Sequence, residues 1–367
     1  MELAELIGLR PEPCAGLLVT LTRRCPLSCA HCSTGSTMDS KEEPDAARLL
    51  GFFRSFRPDD RPEVTLLTGG EPLLLPGLAR ELALAAHDAG SRVALLSGMF
   101  FARGPRIPGP IMRAITTADH FSASLDAYHE REVPRADVFR AIRTILDAGV
   151  PSSLHLVGAG PEDPYLADIT TAVRRTFGDT VPMLVNEVRS VGRAADWLRA
   201  TQSGVADPRG LPCTMAAWPV VAFDGTVIGC CNQRTVDTRP VPAHLRLGHI
   251  ADDDWAAVRR RSLASPELRL IRAIGPTRLR ARYGDVEPRG GYCGGCRALG
   301  QHPETVAGAE RDASGPVGLL LDQLTAQQQR AAGPVALLRR YGCAPYAHLV
   351  APGQSPERPT TATGGTR

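Results

Sequence analysis

The chain has 367 residues, with 42 Lys+Arg against 39 Asp+Glu, a net charge of +3 and ten cysteines. That length holds a full α/β domain plus a smaller one, and so small a charge excess argues against nucleic acid or an anionic membrane as partner. Residues 1–13 mix Glu, Arg and Pro without a signal-peptide or transmembrane stretch, so the expected location is the cytoplasm, where cysteines serve as metal ligands rather than disulfides.

In chain order, strand and helix patterns alternate. Strand 17–22 is followed by helix 45–56, strand 64–68 by helix 78–89, and strand 92–97 by a Pro/Gly-broken segment and a short helix 111–117. Strand 120–125 precedes helix 135–148, strand 153–157 precedes helix 165–177, and strand 181–188 ends the series. Such alternation predicts a parallel sheet wrapped by helices, with ligands at the carboxyl ends of the strands. Gly204, Pro208, Gly210 and Pro212 mark a linker into a second domain. Beyond it, 219–223 and 226–229 flank Asp224-Gly225 and read as a hairpin. Helices near 317–330 and 335–341 are expected to pack on the barrel-like first domain, and the Pro-, Thr- and Gly-rich tail after Pro352 reads as disordered. Lys41 is the single lysine, which leaves almost no scope for Schiff-base chemistry.

Three motifs carry chemistry. Cys25, Cys29 and Cys32 follow the first strand, spaced Cys-x3-Cys-x2-Cys. Three thiolates on one loop suit a cubane cluster with one iron left open, and an open coordination position marks a reactive centre. The alternative is zinc, which prefers paired Cys-x2-Cys units, and no second pair lies nearby. The second strand ends in Gly69-Gly70-Glu71-Pro72, where the glycines let the backbone approach a ligand and the carboxylate accepts from an ammonium; the alternative is a plain turn. The fourth strand ends in Phe121-Ser-Ala-Ser-Leu-Asp-Ala-Tyr-His129, and alternation puts Ser122, Ser124 and Asp126 on one face. An inward polar face fits a ligand, and the alternative is a helix cap by Asp126.

The cysteine triplet together with Gly-Gly-Glu-Pro resembles the radical S-adenosylmethionine (SAM) superfamily, over roughly residues 15–300. The resemblance implies an α/β fold, a partial (β/α)6 TIM-like barrel with a smaller C-terminal SPASM/twitch-type cysteine-rich domain. Its parts would be an N-terminal segment 1–14, a radical SAM core 15–203, an auxiliary-cluster domain 204–300, C-terminal helices 301–352 and the tail 353–367. It implies that Cys25, Cys29 and Cys32 hold a [4Fe-4S] cluster whose open iron chelates SAM. Reductive cleavage then releases a 5′-deoxyadenosyl radical. By the same resemblance Gly69, Gly70, Glu71 and Pro72 hold the methionyl amine, Ser122, Ser124 and Asp126 line the ribose, and His31 joins the cofactor-binding set. Arg193, in a Gly-Arg-Ala segment similar to the end of the sixth strand in many members, meets either a carboxylate or a surface ion pair.

A second cysteine set follows. The hairpin brings Cys213 and Cys230 together, and Tyr292-Cys-Gly-Gly-Cys-Arg297 adds Cys293 and Cys296, enough for an auxiliary [4Fe-4S] cluster. The arrangement resembles the SPASM and twitch extensions, with Leu247-Gly-His-Ile250 similar to their Leu-Gly-Asn-Ile segment. His302 stands where a full SPASM domain has a cysteine. The four-cysteine twitch reading therefore comes first, a degenerate SPASM with His302 and Cys343 as further ligands second, and zinc in the same four cysteines third. Cys231 adjoins Cys230 where sulfatase-maturing relatives carry an aspartate. It reads as a hydrogen-atom donor to a substrate radical, as a spare ligand or as a small buried hydrophobe. Cys14 receives no role.

Three functions stay open: a maturase of ribosomal peptides (crosslink, thioether or epimerisation), an oxidoreductase acting on a sugar or aminocyclitol, and a non-catalytic iron–sulfur or zinc protein. The cysteine count leans to the second, and the SAM-type motifs argue against the third. An external electron donor of flavodoxin or ferredoxin type is expected. For a peptide substrate a separate leader-peptide-binding protein is expected too, because the barrel begins too early for a fused one.

Overall fold

The computed structural model describes residues 1–198, 211–284 and 291–353. The linker expected near 204–212 falls mostly outside these residues, as does the tail. Nine strands form one sheet in the order β6-β5-β4-β3-β2-β1-β7-β8-β9. The strands β1 (Gly16–Thr20), β2 (Val64–Thr68), β3 (Arg92–Ser97), β4 (His120–Ser124), β5 (Ser152–Gly158) and β6 (Met183–Glu187) are all parallel. Their helices are α1 (Leu3–Gly8), α2 (Ala46–Phe53), α3 (Pro76–Asp88), α4 (Gly109–Ile115), α5 (Ala127–Glu130), α6 (Arg135–Asp147) and α7 (Pro164–Phe177). This is the partial TIM-like barrel, and each expected strand and helix of its first half lies within a few residues of its place.

The reason is periodicity. On α6, Val138, Ile142 and Ile145 recur at helical spacing and are buried, and they share one core with Phe121 and Ala123 of β4 and Leu154 and Leu156 of β5. The alternate residues of β4, together with Ser153 and His155 of β5, face the barrel interior and are polar. There His120 Nε2 meets Ser153 Oγ at 2.8 Å, and Ser122 Oγ meets the same oxygen at 2.9 Å. A buried polar layer persists because its members satisfy one another.

The segment from 211 onward continues the sheet of the barrel. β7 (Val220–Val221) pairs parallel with β1, and β8 (Thr226–Ile228) and β9 (Arg246–His249) continue the sheet antiparallel. Gly16 makes this join possible, since any side chain there would strike the ring of Trp218. Because β8 runs back down, Cys230 emerges at the end where β1 begins, opposite to Cys25.

The remaining helices are α8 (Gln233–Asp237), α9 (Trp255–Ala264), α10 (Pro266–Ala273), α11 (Pro276–Tyr283), α12 (Gly291–Arg297), α13 (Pro303–Ala313), α14 (Pro316–Ala331) and α15 (Gly333–Tyr341). α15 packs at the barrel as expected: with α1 it crosses the strand starts, where Leu3, Leu6, Leu337 and Leu338 meet Val64 and Ala94. α14 does not. It is tied to α10 by Arg272 and Asp322, a buried pair with contacts at 2.6, 2.9 and 3.1 Å. The exposed edge of β6 is capped by the Cys343 amide, which donates to the Val185 carbonyl at 2.9 Å. No helix among the described residues is long and apolar enough to cross a membrane.

Candidate metal and cofactor site

The Cys25–Cys32 loop leaves the carboxyl end of β1 and is held by its backbone. Gly70 N donates to Thr22 O at 2.7 Å and Glu71 N to Arg24 O at 2.8 Å. A side chain on Gly69 or Gly70 would collide with the carbonyls of Thr22, Arg23 or Arg24. The glycines expected to admit a ligand thus first admit the cysteine loop itself. From the far side, Arg193 N donates to Cys32 O at 3.0 Å, Arg193 Nε to Cys29 O at 2.9 Å and Nη1 to Ser36 O at 2.6 Å. Arg193 therefore meets neither of its expected partners, a carboxylate or a surface ion pair. It clamps carbonyls of the loop to the segment after β6, and the indole of Trp197 adds a bond to Ala30 O at 3.0 Å.

The thiols differ. Burial pushes Cys25 up to about 12. Burial acts on Cys32 too, but the Thr34 hydroxyl at 3.2 Å, the Ser36 amide and Arg193 outweigh it and hold this thiol below its ordinary range. All three cysteines are free of disulfides.

Glu71 is fully buried. Its carboxylate accepts from Leu73 N at 3.0 Å, Ser97 Oγ at 3.0 Å and Gly98 N at 2.9 Å, and burial still pushes it up to about 7. Pro72 opens a short turn beneath it. Asp126, also fully buried, caps α5 by accepting from the amides of Tyr128 and His129 at 2.9 and 3.0 Å. Its other oxygen faces His129 Nδ1 at 2.8 Å and His31 Nε2 at 3.1 Å. Burial opposes ionisation, yet the two histidines hold the Asp126 carboxyl well below the usual range. Burial likewise opposes charge on His129, and Asp126 outweighs it and pushes the imidazole up to about 10. His129 reaches on to Cys29. The cap reading and the inward-facing reading of Asp126 therefore hold together. His31 stacks on Tyr128 at 4.6 Å between centroids. Ser124 stays half-buried at the strand end, whereas Ser122 is withdrawn into the interior by Ser153. The spacing Asp126–His129, three apart at a helix start, was the signal that would have found His129.

At the opposite end, Cys213, Cys230, Cys293 and Cys296 come together. Burial raises each thiol, Cys213 to about 11; neighbouring thiolates of the set add to the rise at Cys213, Cys230 and Cys296, and Cys231 adds to it at Cys293. Tyr292 OH donates to Leu211 O at 2.6 Å and joins α12 to the Cys213 segment. His302 faces Glu304 at 3.4 Å, and Cys343 is buried beside β6 with Glu187 and Asp163 as its charged neighbours. Among the described residues no contact joins these two. Cys231 stands against Arg10, whose Nη2 lies 3.3 Å from its sulfur.

Between the two ends lies a cavity of about 410 Å³, with His31 at one end and Arg10, Met215, Asn186, Glu187 and Arg189 among its walls. Cys231 adjoins the wall through its contact with Arg10.

Residues 19–170, which hold the triplet, Gly-Gly-Glu-Pro and Asp126, match the profile of the Radical SAM superfamily. The chain carries a radical SAM domain. It is similar to the PqqA peptide cyclase of Gluconobacter oxydans (strain 621H), 29% identical over 162 residues that make up 40% of this chain and 42% of that protein. The chain thus spans less than half the length of this curated relative. Among solved structures, Streptococcus suis SuiB bound to S-adenosylmethionine aligns over 66% of this chain and 64% of its own, with 12% identity and a TM-score of 0.47. BtrN in complex with AdoMet and 2-DOIA aligns over 72% and 89%, with 12% identity and a TM-score of 0.38.

Proposed function

We propose that the chain is a radical SAM enzyme that modifies a peptide, with SAM bound at the Cys25–Cys32 loop and an auxiliary cluster at the second cysteine set. The observation that carries this is the three-thiol loop after β1, fixed beside Gly69–Glu71 by backbone bonds from the segments after β2 and β6 and by the Arg193 side chain. When bound, the [4Fe-4S] cluster and SAM supply a carbon radical able to take a hydrogen atom. The chain's own part is to hold the thiolates, to orient the cofactor with His31, Gly70, Glu71, Ser124 and Asp126, and to enclose the substrate in the cavity.

Four cysteines supply the one thiolate per iron that a cubane cluster takes, and zinc in the same four is the alternative. The similarity to a peptide cyclase supports a peptide over the small carbinol substrate. The latter remains the second reading, on the single four-cysteine set. An external electron donor and, for a ribosomal peptide, a leader-binding protein complete the system. The test is anaerobic reconstitution: the protein converts SAM to 5′-deoxyadenosine and methionine, and Cys29→Ala does not. Equal cleavage by the variant would refute the assignment.

A further inference from the structure

Arg10 is the feature of the cavity that the radical SAM chemistry leaves unexplained. It follows α1 and is only 8% exposed, with its guanidinium 4.6 Å above the Trp218 ring. One side of the fork is used: Nη2 lies 3.3 Å from Met215 O and 3.3 Å from Cys231 Sγ. The other is not. Nη1 is buried without an acceptor among the described residues, and no carboxylate there forms an ion pair with Arg10. A guanidinium taken out of water without an anion is costly, and its planar fork matches a carboxylate.

We propose that Arg10 is a substrate-binding residue, and that the cavity takes a carboxylate of the substrate at the end remote from the Cys25–Cys32 loop. This rests on the reading of the chain as an enzyme acting on a peptide, and names the group it recognises. Two features favour a carboxylate over a phosphate. Glu187 shares the wall and would repel a doubly charged group. Ile7, Leu184 and Leu337 line the same space and accept an aliphatic stem. An Asp or Glu side chain, or a peptide C-terminus, supplies that chemistry. Anchored at Arg10, the substrate directs its remaining carbons along the cavity toward His31.

The test uses the cluster-loaded protein with SAM, in thermal unfolding. Two probe pairs are added at about 50 mM, where a weak ligand still raises the transition: N-acetylglutamic acid α-amide against N-acetylglutamine amide, and N-acetylglycine against its amide. The expected result is a rise with the acid and not the amide in at least one pair, and the pair that responds tells side chain from C-terminus. Arg10→Met should weaken that binding about tenfold or more, the loss of a charge-assisted hydrogen bond. Arg10→Lys should keep a weaker preference for the acid. The proposal is overturned if neither acid binds, if Arg10→Met binds it equally, or if that variant loses iron from the second cysteine set, which would assign Arg10 to Cys231 and its neighbours. Should Arg10→Met not fold, a folded Arg10→Lys that binds the acid as tightly as the parent protein does would overturn it equally. Absence of SAM cleavage with the acid preference intact would retire the enzyme reading and leave the anion subsite standing.

Discussion

The two cysteine sets solve the same problem in opposite ways. The first occupies eight residues of one loop, and backbone bonds from the segments after β2 and β6, with the Arg193 side chain, hold it before any metal is considered. One of its thiols, Cys32, is already biased toward thiolate by the chain's own donors. The second set is collected from three separated segments, and all four thiols are raised, by burial first and then by neighbouring thiolates that include Cys231. A site of the first kind is preformed. A site of the second kind would need a metal to offset the charge its thiolates concentrate, and binding there would double as folding energy.

The sharpest way to break this contrast is to remove the first set. With Cys25, Cys29 and Cys32 all changed to Ala, the protein should retain about four irons, and adding Cys230→Ala should take the count to zero. Recovery of one zinc and no iron in the triple variant would show the second site to be structural. A smaller effect tests the scaffold on the auxiliary side. Asp322→Ala strands the buried Arg272 guanidinium and should cost about 3–5 kcal/mol in chemical denaturation. A loss below 1 kcal/mol would mean that α14 does not brace α10.

The smallest effect lies at the start of β4. Burial lowers His120 to about 4 while the Met1 carbonyl, at 2.9 Å, and Ser153 satisfy its neutral ring. The unfolded chain binds a proton below about pH 6.5 and the folded one does not, so stability falls as pH drops from about 6.5 toward 4. Between pH 7.5 and 5.5 this group should account for about 1 kcal/mol, and His120→Gln should flatten the slope by that amount. An unchanged slope would place the proton elsewhere.

Much of this was legible in the residues. The parallel strands and their helices announced themselves by period, and the Asp224-Gly225 turn marked the hairpin that now joins β8 to β7. Helices α9 to α13 escaped notice because they are short and rich in arginine, with apolar stripes too narrow to stand out. Arg269 and Arg272 are buried there by carbonyl and carboxylate partners 44 and 50 residues away. Arg10 was invisible for the same reason: its contacts lie 205 and 221 residues along the chain. Gly69 and Gly70 were noticed, but the loop they make room for is a tertiary fact. Local pattern reports what a segment buries, and only the assembled sheet reports which segments then meet.

The pairing of β7 with β1 turns strand length into a gauge. Five residues at about 3.3 Å each span about 17 Å, and a backbone bonded along both edges cannot stretch. The gap between the two cysteine sets, and so the path an electron would travel if both held clusters, is calibrated by the residue count of β1. Two residues inserted in β1 would lengthen that path by about 7 Å, while one would turn every inward side chain of the strand outward.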